Sequence, residues 1–307
     1  MDEPQVVMVT GATGAQGGAA VDALLGAGRS VRALVRDPAS EAAVRLAERG
    51  VQLCAGSFDD VDAVRTAVDG ADGVFSMQLP PHPKDLDSER RAAETLVRAA
   101  EDANVRMFVH TSVARAGDHA QFAGWDENRW WQPYWTSKAA ANDVVRSSSL
   151  ERWVILKPAY MMDNFVPPKA DLMFPQLAKG EITTAMAPET RLDLIAAADI
   201  GRVAAAAFAD SAHFDRQEID LAAESLTMSE VAAVLTQITG RTVRARHLDP
   251  EGAVAAGSSR GPVQNHQWLS AEGYRVDLSQ MPRWGFHPVT FADWATEHAS
   301  DLVVGQR

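Results

Sequence analysis

The sequence predicts an α/β chain built on a doubly wound parallel sheet, with a smaller, discontinuous C-terminal substrate domain. Three observations carry that prediction. The apolar run Val6-Val7-Met8-Val9 leads into a glycine-rich stretch, Gly11-Ala12-Thr13-Gly14-Ala15-Gln16-Gly17-Gly18, and then into an amphipathic segment. Short β-branched runs alternate with helical patterns through the first half of the chain, which implies parallel strands and right-handed crossovers. The periodicity then loosens into a stretch rich in Pro, Met and Trp, as a substrate-side region would.

The elements follow in order. Strand 6–10 precedes helix 15–27, strand 30–36 precedes helix 39–49, and strand 51–54 precedes helix 61–68. Strand 73–77 leads to helix 86–103, and strand 106–112 to a long loop over 113–133. Long loops in compact domains often carry function. Helix 134–146 and strand 153–157, ended by Pro158, complete the first part. Asp199 is placed to cap helix 200–209, residues 218–221 suit a further strand, and Thr227 or Ser229 can open helix 230–238, closed by Gly240. This reading sets a dinucleotide domain over 1–158 and a mainly substrate-side domain over 159–307, with segments near 195–222 returning to the first.

The bulk properties bound the function. A chain of 307 residues with 46% hydrophobic content has ample material for a core. No apolar run reaches the roughly 18 residues that span a bilayer. The acidic start, Met1-Asp2-Glu3-Pro4, leads straight into a strand with no secretory pattern, so the expected location is the cytoplasm. Cys54, the single cysteine, sits in the apolar run Val51-Gln52-Leu53-Cys54 and reads as a buried structural thiol. A net charge of −12 repels nucleic-acid backbones, so a bound phosphate has to be held by local groups. The eight histidines show no metal-binding spacing, and His110 and His119 read as a strand and a loop residue.

The order strand, glycine turn, helix brings backbone N–H groups and a helix N-terminus to one point, where a pyrophosphate can sit. Gly11 permits the tight turn, Gly14 the close approach of phosphate, and Gly17 the close packing of helix on strand. Thr13, Ala15 and Gln16 complete this candidate cradle. The second strand ends Leu34-Val35-Arg36-Asp37, with Arg36 at the tip where an NAD site usually carries an acid. A guanidinium there suits a 2′-phosphate, hence NADP(H); the plain alternative is a solvated surface arginine. Asp37 would cap the next helix. Asp59 either accepts from an adenine amine or shares with Asp60 the capping of helix 61–68. Met77, Gln78 and Pro158 end strands whose carboxyl ends line such a crevice.

A second cluster is Tyr134-Trp135-Thr136-Ser137-Lys138. Tyr134 and Lys138 share one helix face. Tyrosine is a poor acid, with a pKa of about 10, and a neighbouring ammonium is expected to favour its phenolate. Lys138 would also reach ribose hydroxyls, and Ser112, at the end of the fifth strand, would orient a substrate oxygen. The loop tryptophans Trp125, Trp130, Trp131 and Trp135, with Tyr160, Met161, Met162 and Phe165, form either an apolar substrate wall or a packed junction. Asn164 is either its polar anchor or a turn residue.

On these motifs the chain resembles the atypical, NmrA-like branch of the short-chain dehydrogenase/reductase superfamily. The likeness extends to Val31–Asp37, Phe108-Val109-His110-Thr111-Ser112, Ser137-Lys138 and Leu156-Lys157-Pro158-Ala159-Tyr160-Met161-Met162-Asp163-Asn164-Phe165. Asp199-Ile200-Gly201 and Glu218-Ile219-Asp220-Leu221-Ala222 add to it. The resemblance implies a Rossmann fold, NADP(H) as cofactor and either of two roles. One is an NADPH-dependent reductase of a small apolar carbonyl, quinone or related acceptor, with Tyr134, Lys138 and Ser112 catalytic. The other is an NADP(H)-binding redox sensor that reports to a protein partner. Many members of the branch keep the lysine and lack the tyrosine, so Tyr134 favours the enzyme. A small-molecule substrate, neither nucleic acid nor membrane, and a monomer or homodimer are expected.

Overall fold

The computed structural model describes residues 5–305; the acidic lead at 1–4 lies outside the described residues. The chain begins β1 (Val6–Thr10), α1 (Ala15–Gly26), β2 (Ser30–Val35), α2 (Glu41–Glu48), β3 (Gln52–Ala55), α3 (Val61–Val68) and β4 (Gly73–Ser76). It continues with α4 (Ser88–Asp102), β5 (Met107–Thr111), α5 (Gln132–Arg146), β6 (Trp153–Pro158), β7 (Tyr160–Met161), α6 (Lys169–Met173), β8 (Glu181–Thr184) and β9 (Leu192–Ile195). It ends with α7 (Ala197–Ala209), α8 (Ser211–Phe214), β10 (Gln217–Leu221), β11 (Glu224–Leu226), α9 (Met228–Thr239), β12 (Arg244–His247), α10 (Pro250–Ala255), α11 (Arg260–Ala271) and α12 (Phe291–Glu297).

Two compact units result. The first holds the described residues up to His119, with Gln132–Pro158 and Ala197–Asp220. Its seven-stranded sheet runs β10-β6-β5-β4-β1-β2-β3. The pairs β1–β2, β1–β4, β2–β3, β4–β5 and β5–β6 are all parallel. The strand order reverses at β1, which has β2 on one side and β4 on the other. That reversal leaves a crevice beyond the carboxyl ends of β1 and β4, where α/β sheets bind ligands.

The period of two along a strand explains how both sheet faces are covered. Met8, Leu34, Val74, Phe108 and Ile155 point to one face and pack with Val64 and Val68 of α3, Leu96 and Val97 of α4, and Val145 of α5. At β4, Gly73 lets Phe208 of α7 approach so closely that a Cβ would lie 2.7 Å from its ring. Helix α7 packs equally tightly on α1: a Cβ on Gly201 would sit 2.3 Å from the Ala19 carbonyl oxygen. Asp199, expected as the cap of this helix, lies instead inside its first turn, fully buried and paired with Arg202. Cys54 is half-buried on the outer strand β3 and only borders the core.

The second unit holds Ala120–Trp131, Ala159–Ala196 and the described residues from Leu221 onward. It contains a three-stranded sheet, β11-β9-β7, and a two-stranded one, β12-β8. Thr227 opens α9 with a reciprocal capping box to Glu230, and Gly240 closes it in the left-handed region at φ +65°. Among the described residues no helix is long and apolar enough to cross a membrane.

Candidate functional site

At Gly11 and Gly17 the glycine turn leaves no room for a Cβ without a shift of its neighbours. Gly11 has φ +64°, and the Met77 methyl would lie 2.2 Å from any Cβ placed there. Gly14 N–H donates to the Gly11 carbonyl at 2.9 Å, closing the turn. A Cβ on Gly17 would lie 2.2 Å from the Gly11 carbonyl oxygen and 2.7 Å from the Ala12 nitrogen, so α1 rests directly on loop backbone. Thr10 fixes the turn to the next strand: its hydroxyl donates to the Met77 carbonyl at 2.9 Å and accepts from Met77 N–H at 2.7 Å.

Helix α1 starts at Ala15 with Gly14 as a cap that offers no side-chain acceptor, and its first turn carries no acid. Its free N–H groups and positive helix end therefore face the crevice unscreened. Thr13, Gly14 and Ala15 are exposed there. The Gln16 side chain points elsewhere and accepts the Thr111 hydroxyl at 2.6 Å, tying α1 to the end of β5. The Gln16 side chain is thus spent on the frame, and only its backbone is left for the candidate cradle.

At the tip of β2 the two arginines have different tasks. Arg32 is committed to structure through the Gln52 side chain at 3.1 Å and the Ala67 and Asp69 carbonyls at 2.8 and 2.7 Å. Arg36 is exposed and makes no ion pair among the described residues. Asp37 turns back onto its own chain, accepting Ala39 N–H at 2.9 Å, and α2 begins only at Glu41 behind Ser40. Asp60 caps α3 by accepting Ala63 N–H at 3.0 Å, which leaves the exposed Asp59 outside the cap.

The carboxyl ends of β4 and β5 hold a buried polar network. Gln78 Nε2 donates to Ser76 Oγ at 2.8 Å, and Ser76 Oγ lies 3.1 Å from His110 Nδ1. Burial, helped by the charge of Lys138, drives the His110 pKa down to about 3, so its ring is neutral at any working pH. Gln78 Oε1 and Ser112 Oγ are buried with no hydrogen-bond partner. Two orphaned acceptors beside an open helix end are what a polar ligand would satisfy. A dinucleotide fits this set: amides for a diphosphate, a free guanidinium for a 2′-phosphate, and buried hydroxyl and amide oxygens further in. Pro158 ends β6 next door, its carbonyl accepting Ala114 N–H at 3.0 Å.

Helix α5 brings Tyr134 and Lys138 to the same unit, but not in the expected relation. Lys138 is 6% exposed, and its Nζ lies 2.6 Å from Oε1 of Glu89 on α4. Glu89 Oε2 accepts the Ser137 hydroxyl at 2.8 Å. Burial first and the Glu89 charge second push the Tyr134 phenol well above its ordinary pKa. The lowering expected from Lys138 is outweighed by burial, to which the Glu89 charge adds. Trp135 meets the Tyr134 ring edge-on, with centroids 5.2 Å apart.

Within the second unit the expected substrate wall divides. Phe165 is fully buried and stacks on Phe174 at 4.6 Å, with Phe291 at 5.3 Å, so it belongs to an aromatic core and not to an open wall. Tyr160 is buried too, its centroid 6.2 Å from Phe165. Trp130 is buried and pins its loop through Nε1 to the Ala123 carbonyl at 2.9 Å. Trp131, at 39% exposure, and the half-buried Trp125, Met161 and Asn164 retain surface that a ligand could touch. Among the described residues no cluster of three or more His, Cys, Asp or Glu side chains is placed to hold a metal ion.

The sequence profile of the NmrA-like family matches residues 3–257. The chain belongs to that family. An NAD(P)H azoreductase of Xenophilus azovorans is 30% identical over 307 residues, covering 96% of this chain and 98% of that protein. An NADPH-dependent quinone oxidoreductase of Escherichia coli, solved with NADPH, superposes with a TM-score of 0.75 at 20% identity, covering 96% and 99% of the two chains. NmrA, a negative transcriptional regulator solved with NAD, superposes at 0.76 with 18% identity, covering 96% and 95%. At such identities the two structures show the fold alone.

In this NmrA-like chain the sequence alone does not single out Glu89, which holds Lys138 and Ser137, or the hydrogen-bonded pair Ser76 and His110. His110 lies in a strand that the sequence predicts, two residues before Ser112. Glu89, inside Ser88-Glu89-Arg90-Arg91, reads as the solvated start of a charged helix. Nothing local marks it as buried.

Proposed function

We propose that this NmrA-like protein is an NADPH-dependent oxidoreductase that reduces a small apolar carbonyl, quinone or related acceptor. The observation that carries the reading is the uncapped, acid-free first turn of α1 at the β1/β4 crevice, with Arg36 unpaired at the tip of β2. The azoreductase relative, aligned over nearly the whole chain, supports it. When bound, NADPH would supply the hydride. The residues of this chain would do the rest. The Gly11–Gly17 amides hold the diphosphate and Arg36 the 2′-phosphate, while Asp59 stands at the adenine side with Met77, Gln78 and Pro158 along the crevice. Lys138 steadies the nicotinamide ribose, Ser112 orients the acceptor oxygen, and Tyr134 delivers the proton. In the second unit, Trp125, Trp131, Met161 and Asn164 keep surface open to an acceptor. A phenol with raised proton affinity stays protonated near neutrality, the state a donor needs, although it gives its proton up less readily.

The test is the loss of NADPH absorbance with a panel of quinones, azo dyes, aldehydes and ketones. Acceptor-dependent oxidation is expected. Tyr134→Phe should then lower turnover by roughly 10²–10⁴-fold, and an unchanged rate removes Tyr134 from the proton transfer. Arg36→Ala should weaken NADPH by roughly tenfold to hundredfold and NADH hardly at all, the scale of a lost charge-assisted bond. Equal losses for both nucleotides refute the 2′-phosphate assignment.

A second reading is an NADP(H)-binding regulator without turnover. The engagement of Lys138 by Glu89 and the raised Tyr134 pKa favour it, since both blunt the acid–base pair. Tight NADPH binding with silence across the whole panel would select it.

A further inference from the structure

Glu89 carries a buried charge that the nucleotide cradle does not need. It is the second residue of α4 and only 2% exposed. A carboxylate withdrawn from water this far persists only where its oxygens are matched. Both are matched by consecutive residues of α5, Oε1 by Lys138 Nζ at 2.6 Å and Oε2 by Ser137 Oγ at 2.8 Å. One carboxylate thus grips one turn of α5 at two points. An ammonium has three N–H donors, so two remain on Lys138 after Glu89 has taken one, and their directions are fixed by it.

Stability alone is a poor explanation for such a pair, because apolar residues of the same volume usually serve as well or better. The surroundings point to the site. The charge of Glu89 acts on Tyr134 of α5, and that of Lys138 acts on His110 of β5. We propose that Glu89 is a positioning residue: by clamping Lys138 and Ser137 together it fixes where the free N–H groups of Lys138 point and so aligns the nicotinamide end of the cofactor. This rests on the reading of Lys138 as a cofactor ligand in a reductase.

The test uses the full chain, NADPH titration by fluorescence, and turnover with menadione. E89Q keeps the size of the side chain and an acceptor for Ser137 but removes the charge. It should weaken NADPH by roughly tenfold and lower kcat by roughly 10- to 100-fold, the scale of a misplaced group, while the KM for menadione stays within about threefold. E89D, which keeps the charge on a shorter arm, should lie between wild type and E89Q in kcat. In a K138M background E89Q should change NADPH affinity no further, because the lysine it acts through is gone. E89Q with wild-type affinity and kcat overturns the proposal, as does an equal loss of affinity in both backgrounds. Should E89Q not fold, E89D decides: a lowered kcat at an unchanged melting temperature supports the clamp, and a wild-type kcat overturns it. A wild-type protein that binds no NADPH overturns the reductase reading instead. One that binds it but reduces no acceptor also overturns that reading, and the affinity cycle alone then decides Glu89.

Discussion

Gly17→Ala is expected to lower the melting temperature by several degrees and to weaken NADPH binding by more than tenfold. Two opposite effects compete. Alanine is the better helix former by about 1 kcal/mol, which would stabilise α1. Against it, the new Cβ would sit 2.2 Å from the Gly11 oxygen, 2.4 Å from its carbonyl carbon and 2.7 Å from the Ala12 nitrogen. All three are backbone atoms, which cannot swing aside as a side-chain tip does. Overpacking typically costs about 1–3 kcal/mol, and relief here means lifting α1 off the turn that forms the cradle. The clash wins, and stability and binding fall together. Two neighbours separate the causes. At Gly14 a Cβ meets only the Gly11 oxygen at 3.4 Å, so Gly14→Ala should cost no more than about 1 kcal/mol while still obstructing the approach of phosphate. At Gly26, in the last turn of the same helix, nothing lies within 4 Å, so Gly26→Ala should stabilise by about 0.4–1 kcal/mol and leave binding alone. Thermal melts and NADPH titrations of the three variants check the series. A Gly17→Ala protein that melts with wild type would refute the close packing of α1 on the turn.

The parts that local chemistry determines were legible in the sequence. The bounds of β1 follow from its continuous apolar run and those of α3 from the Asp60 cap, and the capping box at Thr227 with Gly240 beyond it brackets α9. Helix α5 begins two residues before Tyr134, because Pro133 is as much at home in a helix's first turn as in a loop. What escaped depends on which surfaces meet. Asp199 has the composition of a cap, yet the burial of α7 and its pairing with Arg202 place it inside the helix. Phe165 has the composition of a pocket wall, and only the fold reveals Phe174 and Phe291 against it. At the candidate site the glycines and Arg36 are placed by local sequence, just beyond the ends of β1 and β2. The Glu89–Lys138 pair is not, since 49 positions separate partners that only the packing of α4 on α5 brings together.

That pair sets the second large effect. Lys138→Met is expected to cost about 3–5 kcal/mol of stability, the range found when one partner of a buried ion pair is removed. Methionine fills much of the space of the lysine stem, so little of the loss is cavity. The loss comes from Glu89, which is 2% exposed and keeps only the Ser137 hydroxyl as a partner. Removing both charges should relieve it: K138M/E89Q is expected to melt above K138M, although the single E89Q substitution is itself destabilising. Such non-additivity marks charges that pay for each other's burial. Turnover behaves differently. The double variant is expected to recover stability but not activity, because both variants lack the ammonium proposed to steady the nicotinamide ribose. Melting curves and menadione-dependent NADPH oxidation on the four proteins of the cycle make the comparison. If the double variant melts no higher than K138M, the two charges are not matched in the folded protein. If it regains wild-type turnover, Lys138 has no part in the reaction.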